Sequence, residues 1–81
     1  MNDFQSVFTM KDHGKINIRL KKIMDDRKIS RNYLARATNT RFEVIDKWYR
    51  NDVEKMDLDI LARICYVLKC TPADLIQYDH S

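Results

Sequence analysis

A chain of 81 residues has room for one small domain and not for a second catalytic one, since chains commonly devote about 100–200 residues to each domain. With 44% hydrophobic and 33% charged residues it can build a core, which excludes a purely disordered segment, and no apolar run approaches the roughly 20 residues that cross a bilayer. The net charge of +3 is unevenly spread: residues 1–14 carry 1 Lys against 2 Asp, residues 15–50 carry 11 Lys and Arg against 4 Asp and Glu, and residues 51–81 carry 3 against 6.

In chain order, residues 1–14 come first as an extension. Its start, Met1-Asn2-Asp3-Phe4-Gln5, has neither a basic n-region nor an apolar h-region, which suggests a non-exported, cytoplasmic protein. Phe4, Val7, Phe8 and Met10 make the segment too apolar for a plain solubilising tail; a strand pairing with another chain, a helix-packing arm and disorder all remain open. With 1 Gly and 1 Pro in the chain, the turns of a hairpin-rich fold lack their usual residues, and helices are the default. From Lys15, the apolar residues Ile16, Leu20, Ile23 and Met24 follow i, i+4, i+7, i+8 and predict a first helix ending near Arg27 or Lys28. Ser30 offers a hydroxyl cap to a second helix, Ile29 and Leu34 form a hydrophobic staple, and Leu34 and Ala37 are expected inward with Arg31 and Arg36 outward.

Asn39 tolerates the left-handed conformation that ends a helix and turns the chain. A third helix, Arg41 to Arg50, places Val44, Ile45 and Trp48 on one side and leaves a mixed polar face on the other, and Asn51 closes it as Asn39 closes the second. After a polar loop, Asp57 or Asp59 caps a fourth helix in which Leu58, Leu61, Ile64, Cys65 and Leu68 recur at helical spacing. Thr71-Pro72-Ala73-Asp74 starts a short fifth helix, with Pro at its first position and an acid three residues after the cap, ending near Tyr78. The expected fold is therefore all-α, a compact five-helix bundle over residues 15–78.

Cys65 and Cys70 are expected to point apart, beyond disulfide reach, and read as free thiols, in keeping with a reducing cytoplasm. His13 and His80 form no ligand spacing with each other or with cysteine, so no metal is expected. No nucleophile–base pair and no glycine-rich phosphate loop occurs, so neither catalysis nor a cofactor or small-molecule substrate is expected. The basic block at 15–50 is the footprint of a phosphate-backbone binder, against the simpler reading of a solvated helix face.

Spacing separates the two. Counted from Arg31, Ala35, Asn39, Ile45 and Trp48 stand fifth, ninth, fifteenth and eighteenth: a small residue where two helices approach, a left-handed turn, and two apolar pins for the second helix, whose other face is left free to enter a groove. With Leu34-Ala35, Ile45 to Trp48, Leu61-Ala62-Arg63-Ile64-Cys65 and Thr71-Pro72-Ala73-Asp74-Leu75, residues 15–78 resemble the Cro/C1-type helix-turn-helix regulators, particularly their short single-domain members. Arg31 stands where the family usually has Gln, Asn39 where it has Gly and Arg41 where it commonly has Ser.

The resemblance implies a lambda-repressor-like fold with its helix-turn-helix at 31–50, acting on a double-stranded DNA operator, either as a homodimer on an inverted repeat or as a monomer. It implies base reading by Phe42, Glu43 and Lys47, and phosphate contacts from Arg31, Asn32, Arg41 and Arg50. Phe42 could instead meet the core or a partner protein, and Glu43 and Asp46 could simply pair with Lys47 and Arg50 along the helix. The competing function is a protein-interaction adaptor or antitoxin-like module burying Phe4, Phe8 and Phe42 against its partner.

Overall fold

Lys15-Ile16-Asn17-Ile18 and Ile76-Gln77-Tyr78-Asp79 each alternate polar and apolar residues, the period of a strand with one apolar face. In the computed structural model, which describes residues 13–80, they form β1 (Lys15–Ile18) and β2 (Ile76–Asp79), paired antiparallel. The register sets Ile16 opposite Tyr78 and Ile18 opposite Ile76 on one face, Lys15 opposite Asp79 and Asn17 opposite Gln77 on the other. Three expectations are corrected here. The fold is helical but not purely all-α, and the first helix starts at Leu20 rather than Lys15, while the fifth stops at Leu75 rather than near Tyr78. Ile16 fits a helical repeat and a strand repeat equally well in isolation; what decides is a matching alternation some sixty residues away, which helical spacing cannot register. The sole glycine serves this pairing: Gly14 has φ +85°, and a Cβ there would meet the Asp79 carbonyl oxygen at 2.5 Å. The questions raised about the N-terminal extension fall mostly on residues 1–12, outside the described residues.

Between the strands run α1 (Leu20–Arg27), α2 (Arg31–Ala37), α3 (Phe42–Tyr49), α4 (Leu58–Leu68) and α5 (Pro72–Leu75). Their ends follow local chemistry. Ser30 Oγ accepts the Tyr33 N–H at 3.0 Å, Asp57 Oδ1 accepts the Asp59 N–H at 2.8 Å, and the Asp74 carboxylate accepts the Thr71 N–H at 2.8 Å. Asn39 and Asn51 take φ of 54° and 59° as their type suggests; Lys28 and Lys69 do the same at 58° and 53°, which nothing in a lysine announces.

Every element but β2 gives the core one to three residues: Ile18 from β1, Leu20 and Met24 from α1, Leu34 and Ala35 from α2, Ile45 and Trp48 from α3, Leu61, Ile64 and Leu68 from α4, Leu75 from α5. Each fully buried aliphatic side chain stabilises by about 1.5–3 kcal/mol. Two residues expected inward lie outside. Ala37 is exposed, because α2 turns Leu34, Ala35 and Thr38 to the core instead, and Leu58, the first residue after the Asp57 cap, is 74% exposed. Cys65 and Cys70 are free and half-buried.

Candidate nucleic-acid interface

The pair α2–α3 is set by the turn between them. Asn39 bends the chain, the Thr40 N–H donates to the Ala35 carbonyl at 2.8 Å, and the buried Thr38 hydroxyl donates to the Leu34 carbonyl at 2.7 Å. From α4, Arg63 Nη1 donates to the Thr38 and Asn39 carbonyls, each at 3.2 Å, while its Nη2 pairs with Asp59 at 2.8 Å. Arg63 thus closes the carbonyls that a left-handed turn leaves without helical partners. Sequence reading placed it only in a matching stretch of α4, since its target is backbone.

At the far end, Asn51 Oδ1 accepts the Ile18 N–H at 2.7 Å, and its Nδ2 donates to Asn17 Oδ1 at 2.9 Å. The close of α3 is therefore tied to β1. With Ile45 fully buried and Trp48 3% exposed, α3 is pinned along one side, and Phe42, Glu43 and Lys47 emerge on the other. Phe42 is 39% exposed. Glu43 is in the first turn of α3, where an acid also suits the positive end of the helix dipole. Lys47 borders a groove of about 340 Å³ shared with Asp52, Glu54 and Lys55.

The four expected phosphate ligands divide. Asn32 and Arg41 are exposed, Arg41 as the residue before α3. Arg31 and Arg50 are held by one carboxylate: Asp46 Oδ1 accepts from Arg31 Nη1 at 2.6 Å and Oδ2 from Arg50 Nε at 3.0 Å. The Arg50 contact is the i,i+4 pairing legible in the sequence; the Arg31 contact crosses from α2 to α3 and is not. Arg31 also lies over the Tyr49 ring at 4.7 Å and the Phe42 ring at 5.7 Å, two cation–π contacts beside its ion pair. Tyr49 donates its hydroxyl to Asp25 Oδ1 at 2.8 Å, and Lys21 pairs with Asp25 at 2.7 Å. Hydrogen bonds from Lys21 and then Tyr49 hold the Asp25 carboxyl below its usual range, and the Asp25 bond raises Lys21. A continuous network of charge and aromatic rings thus runs from α1 through α3 to α2.

Among the described residues no group of His, Cys, Asp and Glu is arranged to hold a metal ion, and no helix is long and apolar enough to cross a membrane. The arrangement presents cations and a few chosen side chains along one rigid helix.

Comparison with known proteins agrees with this geometry. No curated protein sequence matches the chain. A crystallised candidate DNA-binding protein from Bacteroides fragilis superposes with a TM-score of 0.68 at 22% identity, covering 78% of this chain and 100% of that one, a likeness of fold. The crystal structure of the transcriptional regulator VanUg superposes with a TM-score of 0.65 at 25% identity, covering 85% of this chain and 92% of that one, in agreement with a VanU-type likeness of the sequence. The model of the Cro/C1-type HTH DNA-binding domain matches residues 19–81, and the chain belongs to that family.

Proposed function

We propose that this protein is a sequence-specific double-stranded DNA-binding transcriptional regulator, acting as a repressor or autoregulator, that inserts α3 into the major groove. The observation that carries the reading is the two-sidedness of α3: Ile45 and Trp48 are locked in the core while Phe42, Glu43 and Lys47 share the open side, in a chain of the Cro/C1-type HTH family. A helix pinned in this way can offer side chains to base edges without a cost of ordering its backbone. Lys47 suits guanine O6 and N7, Glu43 suits the cytosine N4 amino group, and Phe42 suits a thymine methyl. Asn32 and Arg41, with Arg31 and Arg50 beside Asp46, suit the flanking phosphates. Binding as a homodimer on an inverted repeat would place the half-sites about 34 Å apart.

A selection from random duplexes, followed by electrophoretic titration of the enriched site against scrambled DNA over a salt series, tests this. The expected result is a site-selective complex whose affinity falls steeply with salt. Lys47→Ala should cost about 1–3 kcal/mol on the selected site and flatten preference at one base pair. Arg41→Ala should weaken selected and scrambled DNA together. Salt-insensitive binding without sequence preference would overturn the reading, and capture of a protein through Phe42 in its place would favour the adaptor.

A further inference from the structure

The α4 C-terminus brings together the backbones of two cysteines that sequence spacing set apart. Five residues along a continuous helix would carry Cys65 and Cys70 to different sides, but Lys69 takes the left-handed conformation and folds the chain back. The Cys70 N–H then donates to the Cys65 carbonyl at 3.1 Å. A Cα lies about 2.4 Å from its own carbonyl oxygen and about 1.5 Å from its own nitrogen, so with that bond of 3.1 Å the two Cα atoms are at most about 7 Å apart even if all three vectors were collinear, and the turn shortens this. Disulfides span Cα separations of about 4.4–6.8 Å. Both side chains pack, half-buried, against the same core cluster, on the side where such a turn brings the residue after it onto the last helical turn.

We propose that Cys65 and Cys70 are a dithiol modification site that closes to an intramolecular disulfide with a small-molecule disulfide of the glutathione type. One protein thiolate attacks the small disulfide, forming a mixed disulfide and releasing one small thiolate, which takes up a proton. The second protein sulfur, having lost its proton, attacks the mixed disulfide at the protein sulfur, forms the Sγ–Sγ bond and releases the second small thiolate. The second small thiolate also takes up a proton, so the protein loses two protons and two electrons in all and the small disulfide gains them as two thiols. The product ties the last turn of α4 to the residue that leads into α5 and β2, removing freedom from the unfolded chain more than from the folded one.

The surroundings make this a slow site near neutral pH. Burial holds Cys70 in its thiol form, the neighbouring Cys65 adds to this, and Asp74 adds a little more against Arg27, whose guanidinium also donates to the Leu68 carbonyl. Exchange through the Cys70 thiolate should therefore quicken about tenfold per pH unit through the ordinary thiol range.

The test takes the whole chain through a series of glutathione redox buffers, with acid quench, alkylation of remaining thiols and intact mass. A monomeric species lacking two hydrogens, closed to alkylation, restored by dithiothreitol and melting above the reduced form, is the expected product. Cys65→Ser and Cys70→Ser should each stop at the mixed disulfide. Two alkylatable thiols in a buffer that oxidises an exposed control dithiol would overturn the proposal, as would an oxidised product that joins two copies or melts no higher than the reduced protein. None of these readouts depends on DNA binding.

Discussion

Asp46 sets the electrostatics of α3. Its side chain is 21% exposed and answers two guanidinium groups, so the Arg31–Asp46–Arg50 cluster carries one positive charge where the two arginines alone would carry two. The pairing limits how freely either arginine can follow a phosphate, while the Tyr49 and Phe42 rings keep Arg31 in place without it. Asp46→Asn is therefore expected to raise affinity for random duplexes by about 3–10-fold and to steepen the salt dependence by about one counterion. Since partly exposed ion pairs contribute about 0–1 kcal/mol each, its melting temperature should change little, and titration at two salt concentrations on selected and scrambled DNA checks the loss of discrimination. Asp25 and Asp74 act on stability through pH. Lys21 lowers the first, followed by Tyr49, and the Thr71 N–H and hydroxyl lower the second. A carboxyl lowered by folding stabilises fully above its unfolded value, near 3.8 for both, and that contribution fades as pH falls through the lower folded value. Thermal melts below pH 4 should accordingly show a shallower acid decline in a double variant carrying Asp25→Asn and Asp74→Asn than in the parent, with the variant already less stable at neutral pH. Of this residue-level detail, the sequence displays the i,i+4 partners and the Thr71–Asp74 cap, because those spacings are local; the Arg31–Asp46 and Tyr49–Asp25 bonds depend on how helices cross and leave no trace in spacing.

The helices are legible because their limits are chemical. Ser30, Asp57 and Thr71 cap where hydroxyl and carboxylate side chains are expected to cap, and Asn39 and Asn51 turn where asparagine is expected to turn. The two asparagines are nevertheless not equivalent. Asn39 supplies a left-handed backbone and its carbonyl to Arg63, both of which glycine provides, whereas Asn51 also supplies a side-chain oxygen to the Ile18 N–H and an amide to Asn17. Asn39→Gly should leave chemical-denaturation stability within about 0.5 kcal/mol, and Asn51→Gly should lower it by about 1–3 kcal/mol, the cost of a partly buried amide left without its partner. Equal effects of the two would mean that the Asn51 side chain contributes nothing beyond its backbone geometry. Misplaced phases have a similar origin: Ala37 stands one turn after the buried Leu34 and Leu58 one turn before the buried Leu61, so both satisfy helical periodicity, and only the direction from which neighbouring elements approach leaves them exposed.

On the scale of the whole domain, the least legible part of the fold is the one that joins its two ends. A strand of four residues has no stability of its own, and β1 and β2 exist because each offers the other a matching apolar face and a matching polar one across more than fifty intervening residues. The consequence reaches α3, for β1 is held on its other side by Asn51 at the close of that helix. The chain of contacts is therefore β2 to β1, β1 to Asn51, and Asn51 to the end of α3. Shortening the protein after Leu75 should remove the partner of β1, expose Ile18, and loosen the tie at Asn51 while leaving Ile45 and Trp48 in the core. Hydrogen exchange followed residue by residue should then show the Ile18 amide losing most of its protection and the Asp52 amide, which donates to the Lys47 carbonyl at 2.8 Å, losing part of it. The Ile45 amide, bonded to the Arg41 carbonyl inside the pinned turn, should keep protection close to that of the parent. If Ile45 instead opens as readily as Ile18, the sheet holds the whole helix-turn-helix together and not merely the exit of α3.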